Sequence, residues 1–196
     1  MLITIGGLPG TGTSTLAKKI TERFGFEYYY TGKIIREMAK NYNMNLLEFL
    51  EYLKYHPDID IEIDNKMIEI AKTKNNIILE GRVITPLLLK NNVHPDLSIW
   101  LKCSFKERCL RIAQRENKEL NEVYKETKRR EELEIEKFKK LYNINILNTD
   151  YYHIIIDTEK FNKDETYNII SKIIEGKLLM NQYGYIPYKG RDFFKK

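Results

Sequence analysis

The apolar positions of this chain change period along its length, and the changes mark alternating strands and helices. Leu2-Ile3-Thr4-Ile5 has the composition of a short buried strand. From about Thr13 to Phe24 the period is helical: Leu16, Ile20 and Phe24 recur every four residues, with Ala17 beside them, and Gly25 suits the C-cap. Phe26 to Tyr30 reads as a second strand. Thr31 stands where it can cap a helix from Gly32 to about Tyr42, with a core face of Ile35, Met38, Ala39 and Tyr42. Asn45 starts a third helix carrying Leu46, Leu47, Phe49, Leu50 and Leu53. His56-Pro57 ends it, and Asp58 is placed to cap a fourth, about Ile59 to Lys74, that buries Ile59, Ile63, Met67 and Ile70.

Asn76 to Glu80 and Leu97 to Lys102 are compact apolar runs that predict strands. Ser104 precedes a helix from Phe105 to about Asn117, and a long charged helix follows from about Lys118 to Tyr142. His153 to Asp157 is the last strand, and Asn162 to about Glu175 the last helix. Strands alternate with helices, and the connections are long enough for crossovers. The expected fold is therefore α/β, a three-layer sandwich around a five-stranded parallel sheet.

Composition narrows the classes. A chain of 196 residues, 42% apolar and 31% charged, fits one globular domain able to bury a core. Cys103 and Cys109 have neither redox nor zinc spacing, and His56, His94 and His153 are scattered, which points to a reducing, cytoplasmic setting. No secretory signal opens the chain, and no apolar run approaches the ~20 residues needed to span a bilayer. A net charge of +5 suits a polyphosphate ligand and equally suits RNA, so it decides neither.

The candidate chemistry begins between the first strand and first helix. Gly7-Leu8-Pro9-Gly10-Thr11-Gly12-Thr13-Ser14 has the setting and glycine spacing of a phosphate-binding loop, which turns backbone N–H groups and a helix dipole toward an anion. Ser14 holds the magnesium-ligand position, but Thr13 stands where the lysine belongs. Ligands of open parallel sheets sit beyond the carboxyl ends of the strands, where this loop should meet Thr31-Gly32 with Arg36, Glu80-Gly81-Arg82, and the region after Cys103. Arg36 and Arg82 offer planar forks for phosphate oxygens, and Glu80 can orient hydrated magnesium. For Arg36 taken alone, a solvated helix position is the favoured reading.

Arg108, Arg111 and Arg115 share one helical face, either for phosphate contact or for solvent. In the long helix Leu120, Val123, Glu134, Phe138 and Leu141 lie on one side, with Arg130 at its edge and Arg129 nearly opposite. Asp60 and Asp64 flank the apolar stripe of the fourth helix. Asp60 points partly inward, where it could accept from an exocyclic amine of a base or serve the helix dipole.

Together these stretches resemble the archaeal-type cytidylate kinases, within the nucleoside monophosphate kinase family, over roughly residues 1–176. The likeness rests on Ile3 to Thr15, Thr31-Gly32 with Arg36-Glu37-Met38-Ala39-Lys40, Asp58-Ile59-Asp60 through Asp64, and Leu79-Glu80-Gly81-Arg82. It continues through Ile99-Trp100-Leu101-Lys102, Arg111 to Glu116, Arg130-Glu131-Glu132 and Leu141-Tyr142-Asn143-Ile144. The small hydroxyl residue at position 13 is itself a mark of that subfamily.

The resemblance implies transfer of the γ-phosphoryl of ATP to CMP or dCMP. Gly7, Leu8, Pro9, Gly10, Thr11, Gly12, Thr13, Ser14 and Thr15 would cradle ATP. Ser14 and Glu80 would serve Mg. Thr31, Gly32, Arg36, Asp60, Asp64 and Arg82 would bind the acceptor. Arg82, Arg111, Arg115 and Arg130 would neutralise charge in the reaction. Residues 1–178 would form one P-loop domain, with a monophosphate-binding segment at about 41–75 and a lid at about 104–142. No membrane or nucleic-acid partner is assigned, and a monomer is preferred to an oligomer. Rival readings are an adenylate kinase or other small-acceptor kinase on the same scaffold, and a slow nucleotide switch or RNA-assembly factor. Residues 179–196 form a separate extension in which Tyr183, Tyr185, Tyr188, Phe193 and Phe194 alternate with basic residues, a pattern that can stack on single-stranded nucleic acid or pack on protein.

Overall fold

The structure is a computed structural model that describes residues 1–183. Five strands form one sheet: β1 (Leu2–Gly7), β2 (Glu27–Tyr30), β3 (Ile77–Glu80), β4 (Leu97–Lys102) and β5 (Ile154–Asp157), in the order β2-β3-β1-β4-β5. Every pairing is parallel. The carboxyl ends of all five strands therefore meet at one edge, and the chain reverses its direction of travel across the sheet at β1.

The helices are α1 (Thr13–Phe24), α2 (Thr31–Asn41), α3 (Leu46–Leu53), α4 (Pro57–Thr73), α5 (Ile84–Lys90), α6 (Phe105–Glu116), α7 (Leu120–Tyr142) and α8 (Lys163–Gln182). The two-residue period of the strands sends side chains to opposite faces of the sheet. Ile3, Ile5, Ile78, Leu97, Ile99 and Leu101 pack on Leu16, Ala17 and Ile20 of α1 and Ile170 and Ile174 of α8. Leu2, Ile77 and Leu79 face the other way, onto Met67 and Ile68 of α4, Leu87 and Leu88 of α5, and Phe138 of α7. Two smaller clusters hold the outer helices. Phe49, Leu50 and Leu53 of α3 gather Ala39 and Leu133, and Cys109 and Ile112 of α6 meet Val123.

Several local expectations need correction. Strand β1 runs on through Gly6 and Gly7, which pair with Trp100 and Leu101. A Cβ on Gly6 would stand 2.8 Å from the Trp100 ring, so only glycine lets the strand continue there. Thr31 does not cap α2. Tyr30 holds that position, and the Thr31 hydroxyl donates to the Glu80 carbonyl at 2.7 Å. Asp58 does not cap α4 either: His56 is the cap residue and Pro57 begins the helix, where its missing N–H costs nothing.

Helix α5 lies in a stretch the apolar pattern leaves unassigned. Ile84, Thr85, Pro86, Leu87 and Leu88 are all buried, so no polar face betrays its period. Asn117 and Asn143, not glycines, take the left-handed conformation that ends α6 and α7. Helix α8 passes the expected 178/179 boundary and ends at Gln182; Tyr185, Tyr188, Phe193 and Phe194 lie outside the described residues. Among the described residues no helix is long and apolar enough to cross a membrane.

Leu88 is fully buried beneath the sheet. Leu88→Ala is expected to lower stability by about 2–5 kcal/mol, read as a shifted urea-unfolding midpoint.

Candidate active site

The loop after β1 is built on three close approaches. Gly10 and Gly12 adopt φ of 85° and 95°. A Cβ on Gly7 would come 2.5 Å from Thr11 Oγ1 and 2.8 Å from the Leu101 carbonyl, and one on Gly10 would meet the Arg108 carbonyl at 2.7 Å. Thr11 is buried, and its hydroxyl donates back to the Leu8 carbonyl at 2.9 Å. Gly12 caps α1 without a side chain, so the N–H groups of the first turn have no side-chain partner at that position. The result is a side-chain-free cradle at a helix N-terminus, with Thr15 exposed beside it, which suits a phosphate.

Glu80 fastens this loop to the sheet. Its Oε1 accepts from Thr13 Oγ1 at 2.6 Å and Ser14 Oγ at 2.8 Å, and its Oε2 accepts from the Tyr28 hydroxyl. Register explains the convergence. Glu80 pairs with Ile5 on β1 and with Tyr30 on β2, so β3 delivers its carboxylate between the loop and the second strand. Burial, with the Glu80 charge adding to it, raises the Tyr28 phenol above its usual range, which keeps it a donor. Thr13, at the lysine position, thus turns back to β3. Ser14 and Glu80 are hard oxygen donors within hydrogen-bond reach of each other, a fit for hydrated magnesium. Among the described residues no three His, Cys, Asp or Glu side chains gather to hold a metal, so the remaining ligands would be phosphate and water oxygens.

Gly32 lies against the Tyr30 ring, with space for no Cβ. Arg36 is exposed; it donates to the Tyr30 hydroxyl, with its guanidinium 5.1 Å from that ring. Arg82 lies just past Glu80, and it donates through Nη1 to Glu134 of α7. Arg130 reaches the same Glu134 oxygen through Nε at 3.3 Å. Burial lowers the Arg82 pKa to about 10, against the opposing pull of Glu134, so it stays charged at neutral pH.

One turn on, Lys137 donates to Asp60 at 2.7 Å, both side chains under 10% exposed. The Tyr142 hydroxyl donates to Asp64, also at 2.7 Å. Asp60 is therefore inward, as its phase predicts, but held by a lysine 77 residues away that the pattern of α4 cannot reveal.

The three arginines of α6 part company. Arg108, missed as a site residue, is buried and donates to the Pro9 carbonyl of the loop at 3.1 Å, to the Cys103 carbonyl and to Glu131. Arg111 donates to Glu107 and twice to Thr158, at the end of β5. Arg115 is exposed and pairs with its neighbour Glu116. A shared face on one helix does not bring these groups to one ligand, because α6 lies between the loop, β5 and solvent. Arg129 is on the surface, paired with Glu51 of α3. A cavity of about 330 Å³ opens after β4, lined by Lys102, Cys103, Ser104, Asp157 and Glu159.

Comparison with known proteins bears on this arrangement. The profile described as the cytidylate kinase-like family matches residues 2–160. A cytidylate kinase of Methanocaldococcus jannaschii is 44% identical over 175 residues, 89% of this chain and 98% of that protein. A cytidylate kinase of Methanococcus aeolicus is 45% identical over 177 residues, 90% and 99% of the two chains. The solved structure of shikimate kinase from Bacteroides thetaiotaomicron has a TM-score of 0.54 at 12% identity, over 89% of this chain and 98% of that one, a likeness of fold alone.

Burial pushes the Asp64 carboxyl up to about 6, against the lowering effect of the Tyr142 hydrogen bond. The folded chain then binds this proton more tightly than the unfolded chain, whose ordinary carboxyl titrates near pH ~4. Its contribution to stability is full below that pH and is lost as the pH rises to about 6. Asp64→Asn is expected to remove this slope from urea-unfolding free energies measured across the window.

Proposed function

The chain belongs to the cytidylate kinase-like family, and we propose that it transfers the γ-phosphoryl of ATP to CMP or dCMP, giving ADP and CDP or dCDP. The observation that carries this reading is the pair of guanidinium groups, Arg82 and Arg130, on one buried carboxylate just past the strand end that fastens the phosphate loop. A nucleotide switch has no use for a second anion site there. A phosphotransferase does, because it must hold the acceptor's phosphate in line with the donor.

In this reading Gly7 to Thr15 cradle the ATP phosphates with backbone donors. Ser14, with Glu80 behind it, would hold Mg, which would supply neutralisation of the phosphate charge. Tyr28 and Thr13 fix the Glu80 carboxylate, and Arg108 fixes the loop through Pro9. Arg82 and Arg130, with Arg36 from α2, hold the acceptor phosphate. Thr31 and Gly32 set the start of α2 so that Arg36 faces the same edge. Asp60 and Asp64 of α4 are assigned to recognition of the acceptor's base, by exchange of their contacts with Lys137 and Tyr142.

Residues 41–75 act as the monophosphate-binding segment, and α6 and α7 as the lid that carries Arg115 and Arg130. Arg111 fixes α6 to the end of β5. With Thr13 in place of a lysine, positive charge for the transferring group comes from the arginines and the metal. Catalysis is then positioning and charge neutralisation, not covalent chemistry.

With Mg-ATP and a panel of CMP, dCMP, UMP, AMP and GMP, ADP formation is expected with CMP and dCMP. Turnover with AMP alone would assign a different acceptor, and none with any acceptor would favour a switch. Arg115→Ala and Arg130→Ala are each expected to lower kcat by roughly 2–4 kcal/mol of transition-state stabilisation. Near-wild-type kcat in both would remove the lid assignment.

A further inference from the structure

Glu134 is an odd ion-pair partner. Its side chain is 5% exposed, and one of its oxygens serves both Arg82 and Arg130. The other, Oε2, is buried with no hydrogen-bond partner, and so is Arg82 Nε. A buried ion pair that serves only to hold two helices together is stable when its remaining lone pairs and protons are also satisfied. Here the carboxylate wastes an acceptor and the guanidinium wastes a donor, within one contact.

We propose that Glu134 is a displaceable internal anion: in the ligand-free protein it stands in for the acceptor's phosphate between Arg82 and Arg130, and the phosphate of the monophosphate must evict it. The inference rests on the reading of these arginines as the acceptor clamp. A phosphate monoester has three terminal oxygens and up to two charges, so it can engage Arg82 through Nε as well as Nη, which one carboxylate oxygen does not. Shared charge and the orphaned donor both favour the exchange.

The exchange also acts on α7. Glu134 ties this helix to Arg82 at the sheet edge, while Arg130 projects from the same helix one turn earlier. Eviction unfastens that tie and leaves Arg130 free to take the incoming phosphate. A nucleoside without a phosphate has nothing to put between the two guanidinium groups, so Glu134 stays. The resting contact thus lowers the affinity for every phosphate-bearing acceptor by the fraction of time the clamp is open, and leaves nucleoside affinity unchanged.

Calorimetric titration of CMP and of cytidine, without ATP, into the wild-type protein and Glu134→Gln tests this. Glu134→Gln is expected to bind CMP about tenfold more tightly than wild type, with cytidine affinity unchanged. Equal or weaker CMP binding would overturn the proposal, because a residue that merely orients the arginines would lose affinity when neutralised. Should Glu134→Gln fail to fold, a crystal structure of the wild-type protein with CMP decides. Phosphate oxygens on Arg82 with Glu134 withdrawn support the proposal; phosphate and Glu134 together on both arginines overturn it. Wild-type turnover of CMP with no gain in Glu134→Gln removes this inference alone. Failure of the wild type to bind or turn over CMP removes the acceptor reading, and the inference with it.

Discussion

Everything at the sheet edge depends on where β3 leaves the Glu80 carboxylate. Two strands flank β3, and its register with both of them puts Glu80 level with Ile5 and Tyr30. From that position one side chain receives the hydroxyls of Thr13, Ser14 and Tyr28, while its own carbonyl receives Thr31. The phosphate loop, β2 and the start of α2 are therefore aligned by one residue. A carboxylate has about four lone-pair positions. Three are taken, so the loop is anchored by an anion and carries no cation of its own. Arg36, Arg82, Arg108 and Arg130 bring positive charge near the same edge from elsewhere in the chain.

Those arginines are placed by packing, not by proximity in sequence. Helix α7 is long enough to cross from the α6 contact at Val123 to the main core at Phe138, and one of its faces is lined with charge. Arg130, Glu134 and Lys137 fall at successive turns of that face and meet Arg82 and Asp60. Burying Glu134 and Lys137 is tolerable because each finds an opposite charge across the gap, Arg82 and Asp60, and losing one partner would strand the other. The interface between α4 and α7 thus adds the Lys137–Asp60 ion pair to the apolar contacts of Met67, Ile68 and Phe138, where the opposite face of the sheet is held by apolar side chains.

The strands and most helices were legible because their burial is one-sided and leaves a period in the sequence. Helix α5 was not, since burial on every side erases the period and Pro86 argues against a helix. Glu80 and Arg82 could be singled out because a charged corner ending an apolar strand has little packing purpose. The phase of Asp60 gave its inward direction, yet the identity of its partner, Lys137, is information about two helices that pack only after folding. The same limit applies to Arg108, Arg111 and Arg115. Helical spacing relates them to one another, while the loop, β5 and solvent decide what each one meets.

The close packing that forbids a side chain on Gly6 has a spectroscopic consequence. Trp100, the chain's one tryptophan, is buried against that glycine on the strand leading into the phosphate loop. Its ring lies 5.0 Å from that of Tyr152, whose hydroxyl reaches the Arg82 carbonyl at 3.5 Å. The indole therefore sits behind the loop, with one residue, Tyr152, between it and the backbone of Arg82. The molecule carries its own fluorophore there, so intrinsic emission reports on the floor of the site without a label.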